Sequence, residues 1–188
     1  MEKTVRADLI ERAKKIKLLI LDVDGVLTDG KLIIGPSGEL CKTFHVHDGL
    51  GIALSKSFGL KTAIITGRKS KMVEFRVNEL KIDALYQGQG NKVEALAKLQ
   101  KEFNVNLDEI AYVGDDLIDL PVMSKVGLAC AVPNAVSEVK ANAQYITEAH
   151  GGHGAVRQVI EMILKAQGFW DQIISAYIQA KPFEDIEQ

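Results

Sequence analysis

Leu18-Leu19-Ile20-Leu21-Asp22-Val23-Asp24-Gly25-Val26-Leu27-Thr28-Asp29-Gly30 is the stretch that decides the fold. Its apolar start reads as a buried strand. The run stops at two carboxylates one residue apart, and a glycine follows at once. Strand residues alternate faces, so Asp22 and Asp24 point the same way if the strand continues. A bend at Gly25 would instead turn one acid into a site and leave the other guarding it. In both cases two acids end in the crevice beyond a strand's carboxyl end, where open parallel sheets bind ligands.

Working outward, Thr4 to Lys15 reads as a helix with Val5, Leu9, Ile10 and Ala13 on one stripe. Beyond the acids, Lys31 to Phe44 holds two short apolar runs around Gly35-Pro36-Ser37-Gly38, the pattern of a β-hairpin. An isolated hairpin is marginal in water, so this one is expected to pack on a second subunit. His45-Val46-His47-Asp48-Gly49 leads into a helix that Gly59 ends. Strands follow at 61–65, 83–86, 109–113, 128–132 and 144–146, with helices at 70–80, from Lys92, around Pro121 and at 155–166, the last extended or followed by 169–178. Ser70 is placed to cap the first of these helices. Alternating strands and helices mean βαβ units and a parallel sheet. The expectation is an α/β, Rossmann-like three-layer sandwich forming a single domain over residues 1–188, with a hairpin at 31–44 and a polar, mobile tail at 179–188.

Composition excludes several alternatives. The 188 residues suffice for one well-buried domain, and 47% hydrophobic with 26% charged residues is ordinary for a globular protein. A net charge of -2 with scattered Lys and Arg argues against nucleic acid as a partner. The first 17 residues lack a signal peptide's apolar core, and no apolar run approaches the roughly 20 residues that cross a bilayer. Cys41 and Cys130 stand far apart in unrelated contexts, so no disulfide framework is indicated. A cytoplasmic protein without membrane contact is the expectation.

Four strand ends carry polar residues at one edge of the sheet: Asp22 and Asp24; Thr66 and Arg68; Lys92; and Asp115, Asp116 and Asp119. Each has an ordinary explanation as turn, cap or solvated charge, but their convergence does not. Carboxylates about 4 Å apart repel by about 4 kcal/mol at an effective dielectric near 20. Such a cluster needs a cation, and all-oxygen ligands select a hard one, Mg²⁺. Thr66, the unobstructed N–H of Gly67 and Lys92 are donors suited to phosphoryl oxygens. One carboxylate can then act as a covalent phosphoryl acceptor.

Asp22-Val23-Asp24-Gly25-Val26, Thr66-Gly67, Lys92 and Gly114-Asp115-Asp116-Leu117-Ile118-Asp119 resemble, in order, the four motifs of the haloacid dehalogenase-like phosphatase superfamily. The resemblance implies Asp22 as nucleophile and Asp24 as general acid and base. It implies a metal held by Asp22, the Asp24 carbonyl and Asp115. Thr66 and Lys92 would bind the phosphoryl group, while Gly67, Asp116 and Asp119 stand behind them, orienting waters or Lys92. Many members insert a cap domain after the first or second motif. Here 44 positions separate Asp22 from Thr66 and 26 separate Thr66 from Lys92, too few for a cap.

Within the superfamily the chain is most similar to the capless, tetrameric 3-deoxy-D-manno-octulosonate 8-phosphate phosphatases of lipopolysaccharide biosynthesis. Ile64-Ile65-Thr66-Gly67-Arg68-Lys69, Tyr86-Gln87-Gly88-Gln89 and Gly151-Gly152-His153-Gly154-Ala155-Val156-Arg157 carry that similarity, with the stretch from Phe44 to Gly51. It implies substrate contacts from His45, Val46, His47, Asp48, Gly49, Arg68 and Arg76, besides Asp24 and Lys92, and a homotetramer whose C-terminal region closes over a neighbour's site. The family often has arginine where His47, Ala53 and His153 stand here, which bears on the grip on a substrate carboxylate. Alternatives are a phosphatase of a nine-carbon sialic-type acid 9-phosphate and a non-catalytic oligomerisation or regulatory subunit. The second would be expected to lose Asp22 or Asp24, and both are present.

Overall fold

In a computed structural model, which describes residues 2–180, strand β1 (Leu18–Leu21) lies at the middle of a six-stranded sheet. All four of its residues are buried, because neighbours on both sides complete its ladder. β4 (Lys61–Ile65) pairs with it on one side and β6 (Ile110–Gly114) on the other, so that Leu18 opposes both Lys61 and Ile110. β5 (Ala84–Tyr86) extends the sheet beyond β4, and β7 (Leu128–Ala131) and β8 (Tyr145–Ile146) extend it beyond β6. Every pairing in this sheet is parallel.

The chain runs outward from β1 through β4 to β5, then crosses back to place β6 on β1's other side. Adjacent strands β1 and β6 therefore send their following loops apart, opening the crevice where sheets of this kind bind ligands. Helices cover both faces. α1 (Glu2–Lys15), α2 (Val46–Ser57), α7 (Ala155–Ala166) and α8 (Trp170–Ile178) pack together, while α4 (Lys92–Phe103) and α5 (Leu120–Met123) pack on one another. α3 (Lys71–Glu79) follows β4 and lays Arg76 and Leu80 against Gly49 of α2. The short α6 (Ser137–Ala141) joins β7 to β8.

The expected α/β sandwich is present, and a hairpin with α2, then α3, account for the spans between the first three motifs. Most of the tail expected to be mobile, residues 181–188, lies outside the described residues. The hairpin, β2 (Ile33–Gly35) paired antiparallel with β3 (Gly38–Cys41), is a separate two-stranded sheet. Leu32, Ile33, Ile34 and Leu40 on it are 44–58% exposed. Two local expectations are corrected. α2 begins at Val46 rather than after Gly49, because the His45 ring accepts a hydrogen bond from the N–H of His47 and caps the helix early. Ser70 sits at the N-cap of α3, but its side chain makes no capping bond and is engaged elsewhere.

Candidate active site

The loop after β1 is a tight turn in which the N–H groups of Val26, Leu27 and Thr28 all reach the carbonyl of Val23. Gly25 sits in it at φ +94°, a conformation open to glycine. A Cβ there would lie 2.0 Å from Asp115 Oδ2, so the absence of a side chain lets the carboxylate after β6 close on the turn after β1. A second glycine works at the same place. Gly151 packs on the Gly25 carbonyl so closely that a Cβ would stand 1.7 Å from that oxygen. Asn134 ties the two, donating to Gly25 O at 2.9 Å and accepting from Gly151 N at 2.8 Å. The Gly-Gly-His-Gly loop is thus laid across the turn that presents the two acids.

Asp22 is nearly buried, and Lys92 Nζ lies 3.0 Å from its Oδ1. The same ammonium bonds Asp119 Oδ1 at 2.7 Å and the Tyr112 hydroxyl at 3.2 Å. Tyr112 in turn donates to Asp119 Oδ1 at 2.6 Å, and Asp119 Oδ2 accepts the N–H groups of Asp115 and Asp116. Asp119 therefore has no free oxygen; it holds Lys92 and the loop in place. Asp116 caps the following turn by accepting from Leu117 N at 2.7 Å.

Burial is the main cause that raises the Asp22 carboxyl to about 6, offset by Lys92 and reinforced by Asp119. Burial also leads for Asp115, which the charges of Asp22, Asp119 and Asp116 help push up to about 8. For Lys92, burial acts to lower the pKa, but Asp22 and Asp119 outweigh it and the ammonium is held charged. Asp115 Oδ1 is buried without a hydrogen-bond partner among the described residues. Oxygens of Asp22, Asp115 and Asp119 approach within 4.8 Å of one another. With Asp119 spent on Lys92, the pair left facing a common point is Asp22 and Asp115. An orphaned buried oxygen beside a second carboxylate is the arrangement a hard cation would complete.

The remaining expected residues fall into two groups. Thr66 ends β4, buried, and its backbone bonds Tyr86 O and Gln89 N. A Cβ at Gly67 beside it would meet Ile118 Cδ1 at 3.8 Å and the Gln89 carbonyl at 3.9 Å, ordinary contact distances. Asp24 receives Lys42 on Oδ1 and has Arg68 Nε 3.8 Å from Oδ2. At the mouth, the His45 ring lies 4.9 Å from that of His47 and 6.5 Å from that of His153. Val46 beside them is 75% exposed. Arg76 has its guanidinium over Phe44 and bonded to Glu79, close against Gly49.

Asp48, expected among the substrate contacts, is 2% exposed, and its Oδ1 accepts from Arg157 N at 2.7 Å, capping α7. Desolvation raises its carboxyl despite that bond and the nearby histidines. Residues to which the sequence reading gave no role also stand at the site. Tyr112 hides in an apolar strand, Lys42 follows the hairpin, and the half-exposed Leu117 and Ile118 form an apolar rim.

Comparison with known proteins agrees with this geometry. Residues 84–160 match the model of the haloacid dehalogenase-like hydrolases. The 3-deoxy-D-manno-octulosonate 8-phosphate phosphatase KdsC of Escherichia coli (strain K12) is 50% identical over 168 residues, 89% of each chain. This chain belongs to the KdsC phosphatase family. Among solved members, the Yersinia pestis 3-deoxy-D-manno-octulosonate 8-phosphate phosphatase superposes with a TM-score of 0.85 at 46% identity, covering 87% of this chain and 89% of that one. The Moraxella catarrhalis enzyme, crystallised with magnesium ion, phosphate ion and KDO, gives 0.88 at 45% identity over 90% and 98%.

Proposed function

We propose that this chain is a Mg²⁺-dependent phosphomonoesterase that hydrolyses 3-deoxy-D-manno-octulosonate 8-phosphate to the free sugar acid and inorganic phosphate. The observation that carries the reading is the buried Asp22–Lys92 pair beside the unpartnered Asp115 oxygen at the switch between β1 and β6. Half of 168 aligned residues are shared with a phosphatase named for that substrate, and a relative's crystals hold magnesium, phosphate and KDO together.

A carboxylate oxygen of Asp22 attacks phosphorus, and the bond to the sugar oxygen breaks. Asp24 gives its proton to that departing oxygen. The aspartyl-phosphate is then opened by water, whose proton passes to Asp24, and Asp22 returns as a carboxylate while phosphate leaves. Lys92, fixed by Asp119 and Tyr112, opposes the negative charge gathering on Asp22 and on the phosphoryl oxygens. Thr66 and the Gly67 N–H bind those oxygens. Asp22, Asp115 and the Asp24 carbonyl would hold the Mg²⁺, which when bound supplies charge stabilisation of the phosphoryl group. Arg68 and Arg76, with His45 and His47, would receive the acid end of the sugar.

We take the enzyme to be a cytoplasmic homotetramer joined through the hairpin. The exposed Leu32, Ile33, Ile34 and Leu40 support this reading, because so small a sheet needs an apolar partner. Among the described residues no helix is long and apolar enough to cross a membrane.

The test is phosphate release, with and without Mg²⁺, from 3-deoxy-D-manno-octulosonate 8-phosphate, a nine-carbon sialic-type acid 9-phosphate and simple hexose phosphates. Mg²⁺-dependent preference for the first is expected, with turnover lost in Asp22→Asn while the fold persists. Preference for hexose phosphates overturns the substrate, and near-wild-type turnover by Asp22→Asn overturns the covalent route.

A further inference from the structure

Lys42 lies between the hairpin and α2 on a segment whose neighbours Cys41 and Thr43 are exposed, yet its own side chain is only 2% exposed. A four-carbon stem buried at the edge of a small sheet has a destination, and here it is Asp24. The ammonium pairs with Asp24 Oδ1 and, at 3.0 Å, with Glu39 Oε1 on β3. Glu39 is itself anchored: its Oε2 accepts from the Ser70 hydroxyl at the start of α3. Ser70 N donates to Gln87 Oε1 at 2.8 Å, fixing that end from the loop after β5. On the far side of Asp24, Arg68 stands 3.8 Å from Oδ2.

Once Asp24 has given up its proton, two cations and two carboxylates form a locally neutral chain, Arg68–Asp24–Lys42–Glu39, tied at its end to Ser70. Buried ions persist when paired and hydrogen-bonded in this way. Asp24 needs such a frame, because a proton passes to the leaving oxygen only from a carboxyl held within hydrogen-bond reach of it. The Asp24 side chain is 21% exposed; Lys42 is hydrogen-bonded to its Oδ1, and Arg68 stands 3.8 Å from Oδ2 without a hydrogen bond.

We infer that Lys42 is a positioning residue for Asp24, so that the hairpin, through Glu39 and Lys42, sets the geometry of proton transfer to the leaving group. The inference rests on the reading of Asp24 as the acid. Lys42, held by Glu39, reaches Asp24 from a segment where Leu40 is exposed. The element proposed to join subunits is then also the element that aims the acid.

The experiment compares an alkyl ester, the sugar-acid phosphate, with an aryl ester, p-nitrophenyl phosphate, in wild type, Lys42→Met, Lys42→Arg, Glu39→Gln and Asp24→Asn. The alkoxide needs a proton to depart and the nitrophenolate does not. For the aryl ester, kcat/KM includes steps only through phenolate departure, so activation of water does not enter it. Lys42→Met is expected to lower kcat for the alkyl ester by about 10²-fold, with KM within about twofold and aryl kcat/KM changed less than about fivefold. Lys42→Arg restores part of the loss, and Glu39→Gln gives a smaller loss with the same split.

Equal losses on both esters, or a rise in KM alone, overturn the inference; the second would make Lys42 a substrate contact. If Lys42→Met does not fold, Lys42→Arg and Glu39→Gln decide by the same split. Asp24→Asn separates the two levels of argument. If it spares alkyl turnover, the assignment of Asp24 fails; if it shows the split and the Lys42 and Glu39 variants do not, the positioning role alone fails.

Discussion

The crevice between β1 and β6 and the β2–β3 hairpin are built on opposite terms. In the crevice Lys92 answers Asp22 and Asp119, Tyr112 shares the same Asp119 oxygen, and backbone N–H groups take the other, while Asp115 has no counter-charge of its own. One buried oxygen, on Asp115, is left over. The hairpin instead leaves its apolar side chains exposed, and its polar contacts to the sheet end run from Glu39 to Ser70 and from Lys42, just after it, to Asp24. The crevice offers carboxylate oxygens to an ion, whereas the hairpin offers an apolar surface. A small cation completes a rigid polar network without moving it, and only another apolar face completes an exposed apolar sheet.

The contrast is broken most severely by removing Lys92. Lys92→Met would leave Asp22 and Asp119 buried without their counter-charge, and losing one member of a buried pair costs about 3–5 kcal/mol. Chemical denaturation of the metal-free protein should show that loss, together with loss of turnover. Gly25→Ala comes next. Its Cβ would collide with Asp115 in a backbone conformation foreign to alanine, a strain of about 1–3 kcal/mol. Calorimetry should find Mg²⁺ binding weakened in step with stability.

A gentler probe is pH. Asp22 and Asp115 titrate near 6 and 8 in the fold, above the 3.8 of a free carboxyl. The folded state therefore binds more protons than the unfolded one. Their contribution is fully present at low pH and is lost as pH rises through those values, by up to about 1.4 kcal/mol per pH unit for each proton. Thermal unfolding without metal should fall between pH 5 and pH 8 relative to the same protein with Mg²⁺, so the gain from Mg²⁺ is larger at pH 8. A gain equal at both values would show that the carboxylates are not the ligands. The smallest effect on the protomer is expected from Ile34→Asp. Sedimentation should show dissociation while the unfolding of each protomer, extrapolated to zero denaturant, stays within about 0.5 kcal/mol. An intact tetramer would move the interface elsewhere.

The sheet and its strand-end residues were legible because buried parallel strands are short apolar runs, and each run here ends on the polar group it delivers. Leu18–Leu21 and Lys61–Ile65 show this directly. What was not legible depends on contacts that no local period encodes. Glu39 meets Ser70 from 31 positions away and Lys42 meets Asp24 from 18, both because the hairpin folds back over the sheet edge. Asp48 caps a helix 109 residues later, so its neighbours in the chain suggest a different task from its neighbours in space. Tyr112 passes for core because its ring is core; only its hydroxyl belongs to the site. His45 lies outside the usual capping set of Ser, Thr, Asp and Asn, which is why α2 starts earlier than its sequence announces.

The clamp on Gly25 has a consequence for how the protein comes into being. A growing chain carries both acids of its first motif once residue 24 is made, and Lys92 and Asp115 by two-thirds of its length. The turn that presents the acids is nevertheless pinned by Asn134 and covered by Gly151 and Gly152, which are made last among the residues named here. Chains emerge at about 5–20 residues per second, N-terminus first, so the acids wait for several seconds beside an unlatched turn. A chain cut short before residue 134 holds every group the chemistry needs and lacks the latch that keeps them facing one another.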